Sequence, residues 1–126
     1  MAQNRFTPRP TDLSDSEPFA SAEEAWFWFV QCRLAQQAGA RLAAGMASIV
    51  RPCEPLDVLA VVDRQYRCRR LLREHLMVLS DFGARALRPD RDSPREIRAA
   101  KLWDEAFAVL APAFEAKGIV AAEFAG

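Results

Sequence analysis

Apolar positions recur at helical spacing in four stretches of this chain, and nowhere do they alternate for long enough to make a strand. Ser21 followed by Glu24 forms a capping box, in which the hydroxyl accepts from the third helical N–H and the carboxylate reaches back. The pattern predicts a helix from about Ala22 through WFWFVQCRLAQQA. Gly39 and Gly45 weaken its later turns, so it should end or bend between 38 and 47. Trp26, Phe27, Trp28 and Phe29 point in four directions on such a helix, and no single face buries all of them. Either the helix lies between other helices, or part of its aromatic surface meets a partner.

The connector Arg51-Pro-Cys-Glu-Pro55 is rigid, and Pro55 suits the first position of a second helix because its missing N–H is not needed there. Asp57 in that first turn suits the helix dipole. PLDVLAVVDRQY then places Val58, Leu59, Val62 and Tyr66 on one stripe. Leu72, Leu76, Leu79 and Phe82 form a third stripe, and Gly83 supplies the left-handed stop expected after a helix. A single helix over 56–82 is open, since Arg67 to Arg70 contains no Gly or Pro. A break near 67–71 is favoured, because the apolar stripe changes phase there and arginines crowd together. After a polar loop at 84–92, Ser93-Pro94-Arg95-Glu96 combines an N-cap, a first-turn proline and a capping-box glutamate. The helix it opens carries Ile97, Ala100, Trp103, Phe107 and Leu110. Pro112 should break or kink it, and Gly118 should close a last turn through AFEAK.

The fold class expected is therefore all-α: a small bundle of four to five helices, helix-turn-helix-like in its middle. Residues 1–18, with Pro8, Pro10 and Pro18 among polar residues, read as a flexible arm. Residues 19–118 form one helical domain, and 119–126 a C-terminal tail. A chain of 126 residues, 51% apolar and 27% charged, has room for one such domain. Nothing approaches eighteen consecutive apolar residues, so no membrane-spanning helix is expected. MAQNRFTPRPTDLS lacks the apolar run of a secretory signal, which makes the expected compartment the cytoplasm.

Candidate chemistry is sparse. Cys32, Cys53 and Cys68 are odd in number and widely spaced, which argues against a disulfide framework. A metal site would need all three to converge with the one histidine, His75, and the short Cys-x2-4-Cys knuckle is absent. Buried structural cysteines are the simpler expectation, with no metal and no cofactor. Phosphate-binding glycine loops, zinc-protease and nucleophile-elbow motifs are absent, and a triad would have to use His75, so an enzyme is not expected. Glu23-Glu24 and Asp104-Glu105 are accounted for by helix capping and a solvated face.

The 17 basic and 17 acidic side chains cancel overall but not locally. Arg33 to Lys101 holds 14 basic and 8 acidic residues, and the outer segments hold 3 and 9. Arg64, Arg67, Arg69, Arg70 and Arg73 fall within ten residues. Arg85, Arg88, Arg91, Arg95 and Arg98 follow at intervals of three or four. Arg95 and Arg98 sit at a helix start, where the dipole disfavours cations and free N–H groups attract anions, an arrangement suited to clamping phosphate. Against this, arginine outnumbers lysine 15 to 2, as a GC-rich genome would produce without function. Asp63, Glu74, Asp81, Asp90, Asp92 and Glu96 are also interleaved and able to pair with the arginines.

DVLAVVDRQYRCRRLLREHLMVLSDFGAR, followed by SPREI and LWDEAF, resembles helix-turn-helix regulators of the sigma region-four and phage-antiterminator type over residues 56–110. Asp81-Phe82-Gly83 and Ser93, Glu96 and Ile97 occupy comparable places, although one helix rather than two is expected after Ser93. EAWFWF, RPCEP and KGIV together are also similar to an alphaproteobacterial family of helical proteins, which implies a bacterial source and no particular activity. The resemblance to regulators implies DNA as partner. Arg64, Arg67, Arg69, Arg70, Arg73, Arg95 and Arg98 would then be the nucleic-acid contacts of a transcription-associated protein. The alternative is a protein-interaction module or homodimer anchored on an exposed Trp26 or Trp28 in the helix over 22–38. The two differ in a simple observable: whether the arginines or the tryptophans are exposed.

Overall fold

The computed structural model describes residues 17–39 and 53–121, and among these it shows four helices and no strand. They are α1 (Ala22–Ala38), α2 (Pro55–Arg67), α3 (Arg73–Arg85) and α4 (Ile97–Ala116). The expected all-α bundle is what the chain forms. Gly45 and the arm, apart from Glu17 and Pro18, lie outside the described residues. No helix among the described residues is long and apolar enough to cross a membrane.

The helix starts follow local chemistry. Ser21 Oγ accepts from the Glu24 N–H at 3.1 Å, while the Glu24 carboxylate takes the Ala20 N–H at 2.8 Å. At α2 the Asp57 carboxylate accepts from the Glu54 N–H at 2.8 Å, with Pro55 opening the helix. At α3 the same reach-back is made by an imidazole: His75 Nδ1 accepts from the Leu72 N–H at 3.0 Å. The fourth start departs from expectation. Ser93 is not the N-cap; a turn over 94–96 precedes Ile97, and the Glu96 carboxylate takes the Asp90 N–H at 2.7 Å.

Two expected helix breakers prove to lie inside helices. Gly83 does not stop α3, which continues to Arg85 and ends at Ala86 in the left-handed region, φ 58°. Pro112 does not break α4. It stands on the exposed side of the helix above the exposed Ala108, so the carbonyl deprived of its bond faces water. The anticipated fifth turn is simply the end of α4, closed by Gly118 at φ 75°.

α1 packs against each of the other three helices, and α4 packs against α2 and α3. This settles the four-way aromatic run, because α1 has neighbours on several sides. Trp26 and Phe29 are buried, Phe27 stacks on Trp103 at 5.6 Å, and Trp28 meets Phe19 at 5.0 Å. Trp103, itself 1% exposed, also contacts Phe107 and Phe82, so aromatic rings from three helices meet at one centre. Phe19 is fully buried and pairs with Val120 in a parallel bridge, in which its N–H donates to Ile119 O and its carbonyl accepts from Ala121 N–H. Ile119 and Val120 are buried in the core, so the expected tail boundary at 118 moves to at least Ala121.

Candidate nucleic-acid interface

α2 and α3 are joined by the five residues 68–72, and the turn is built from the end of α2. Arg69 N–H donates to Tyr66 O at 3.0 Å, and Arg70 N–H to Gln65 O at 2.9 Å, a pair of bonds that closes a helix when the residue between takes a left-handed conformation. Arg69 is that residue, at φ 65°. Leu71, 1% exposed, pins the turn to the core, and its N–H also reaches Gln65 O. The expected break at 67–71 is therefore where the chain turns. Unlike a helix-turn-helix, this turn is five residues long without glycine, and α2 and α3 pack chiefly on α1 and α4 rather than on one another.

The corner presents arginine. Arg64, Arg67, Arg69, Arg70 and Arg73 are all exposed. Arg67 pairs with Asp63 one turn earlier at 2.5 Å. Arg64, Arg69, Arg70 and Arg73 have no carboxylate partner among the described residues. Arg98 is brought to the same end of the molecule by its ion pair with Glu74 at 2.8 Å, beside Arg73 at the start of α3. Arg95 lies exposed in the turn before α4, again without a described carboxylate partner. The anticipated phosphate clamp at this helix start is thus half occupied, because Arg98 already grips a carboxylate of its own chain.

The other arginines have a different job. Arg85 pairs with Asp81 at 3.2 Å and lies over the Phe82 ring. Arg88 reaches Glu23, and Arg91 grips Asp104 with both terminal nitrogens. That paired hydrogen bond is the main reason the Arg91 guanidinium is pushed above its usual basicity. Two explanations of the arginines, carboxylate pairing and anion binding, therefore divide the chain between them. Pairing accounts for 85–91, while the corner around 64–73 is left largely uncompensated.

The tryptophan site fails as an exposed anchor. Trp26 is 5% exposed, and its indole N–H donates to Leu79 O at 2.8 Å. Trp28 is half-buried against the core. His75 is 7% exposed, and both ring nitrogens are engaged: Nδ1 as acceptor for Leu72 N–H, which puts the proton on Nε2, bonded to Glu105 at 3.0 Å. It ties the corner to α4. Among the described residues, no three His, Cys, Asp or Glu side chains come together to hold a metal ion. Burial pushes the Cys32 thiol up, away from the reactive thiolate.

Several tertiary partners were invisible to motif reading. Glu23, assigned to capping, accepts from the buried Trp103 indole at 2.5 Å, and Glu105, assigned to a solvated face, holds His75. These pairs lie 80 and 30 residues apart, and no local spacing marks them. No family model, no curated protein and no solved structure matches this chain.

Proposed function

We propose that this protein binds nucleic acid, as a cytoplasmic, transcription-associated DNA-binding regulator, through the arginine corner between α2 and α3. The observation that carries this is the set Arg64, Arg69, Arg70 and Arg73, exposed within ten residues and lacking carboxylate partners among the described residues. In a chain of zero net charge, such a set is a local positive field rather than a general one. Guanidinium groups match phosphate oxygens in geometry, and each neutralised phosphate releases counterions. Affinity should therefore be strongly salt-dependent.

Fluorescence anisotropy with a labelled duplex at 50 and 200 mM salt tests this directly. With about five phosphate contacts, affinity falls roughly 500-fold across that range. The Arg64/Arg70/Arg73→Ala variant, which alters only exposed side chains, should retain its helical circular dichroism and show a slope smaller by about three units. Absence of binding at 50 mM salt overturns the proposal. Docking of a protein on α3 is the second reading, favoured by one observation: Met77 and Leu72 are 61% and 50% exposed, and Met77 shares a shallow groove with Arg73.

A further inference from the structure

We infer that Arg69 is the apex contact of the corner, held in a left-handed conformation to present its guanidinium to a backbone phosphate. The inference rests on the nucleic-acid function proposed above. Three of the described helices end in the same hydrogen-bonded pattern, at residues 69, 86 and 118, with φ of 65°, 58° and 75°. At α4 the position is Gly118, the residue that takes this conformation without a steric penalty. At α2 it is an arginine, with a β-carbon that disfavours the conformation. Ala86 shows that such strain alone marks no site, since the arginines beside it, Arg85 and Arg88, are already paired with Asp81 and Glu23.

Arg69 differs in what surrounds it. It stands between Arg67 and Arg70, with Arg64 and Arg73 at the flanking helix ends, and it is exposed without a carboxylate partner among the described residues. The backbone of the turn offers an anion nothing. Cys68 N–H goes to Arg64 O, Arg69 N–H to Tyr66 O, and those of Arg70 and Leu71 to Gln65 O. Leu72 N–H goes to His75 Nδ1. Unlike a glycine-rich phosphate loop, residues 68–72 have only guanidinium groups to offer an anion. The same bonds, with Leu71 anchored beneath, fix the turn before any ligand arrives, so little ordering is needed on binding.

The test compares wild type with Arg69→Gly, Arg69→Lys and Ala86→Gly, on one A·T-rich and one G·C-rich duplex. Both glycine variants should raise Tm by about 5 °C, since both relieve the same backbone conformation. Only Arg69→Gly should weaken binding, by about eightfold at 0.1 M salt and equally on both duplexes, with the salt slope reduced by about one. Arg69→Lys restores the charge and should recover the slope. If wild type binds and Arg69→Gly binds as tightly, the assignment of Arg69 is overturned while the nucleic-acid function stands. A loss that differs between the duplexes overturns the assignment to a backbone phosphate. If wild type does not bind at low salt, both fall together.

Discussion

Gly83 and Ala86, three residues apart at the end of α3, make opposite demands on a side chain. A β-carbon at 83 would lie 2.8 Å from Trp26 Nε1 and 2.9 Å from Val30 Cγ2, both inside contact distance. The missing side chain makes the notch through which the indole reaches Leu79 O. Gly83 is therefore a packing glycine, and its place near the end of the stripe made it look like a stop. Ala86, which does the stopping, carries a side chain where none is wanted. Gly83→Ala should destabilise the fold by about 1–3 kcal/mol through overpacking, outweighing the roughly 1 kcal/mol gained in helix propensity. Ala86→Gly should stabilise it by about 1 kcal/mol. Urea unfolding of the two variants checks both signs, and stabilisation by Gly83→Ala would refute the notch.

The buried faces of α2 and α3 are turned by about one residue from the stripes that apolar spacing suggests. In α2 the buried set is Val58, Val61, Val62 and Gln65, while Tyr66 is 42% exposed. In α3 it is His75, Leu79, Phe82 and Gly83, while Leu72 is half exposed. A pattern of apolar letters assigns Gln65 and His75 outward, and so rotates each helix the wrong way. His75 is admitted because both its nitrogens are satisfied, one by the Leu72 N–H and one by Glu105 across the helix interface. His75→Ala should therefore cost about 1–3 kcal/mol, leaving an N–H at the start of α3 without its acceptor. Hydrogen exchange would show the first turn of α3 opening sooner, and unchanged protection there would remove the capping role.

At the scale of the molecule, the two ends of the described fold close on each other. Phe19 enters the core ahead of α1, and Ile119 and Val120 enter after α4, joined by the parallel bridge. Phe19→Ala removes a fully buried ring at this junction and should cost about 3–5 kcal/mol, a large share of the 5–15 kcal/mol that holds a typical domain. A fall in Tm of only a degree or two would mean that the junction is ornamental. The charges divide on the same scale. Arg88–Glu23 and Arg91–Asp104 tie the loop after α3 to α1 and α4, and the α2–α3 corner keeps its arginines facing solvent.

Class and most starts of the described helices could be read from the letters, because these depend on chemistry within one turn: Ser21 with Glu24, Pro55 and Asp57 in the first turn of α2, Gly118 at a helix end. The crowding of arginines between 64 and 73 was equally plain, being local in sequence. Which arginines remain free was not. That depended on whether Asp81, Glu23, Asp104 and Glu74 lay beside them, and two of those pairs, Arg88–Glu23 and Arg98–Glu74, join residues 65 and 24 apart. The burial of Trp26 was equally hidden, because a helix with aromatics on every side suits a central position as well as a docking surface. Only the arrangement of α2, α3 and α4 around α1 chose between them. Local chemistry ends at a turn of helix, and the partner of a buried indole or an exposed guanidinium is set by chain folding over much longer separations.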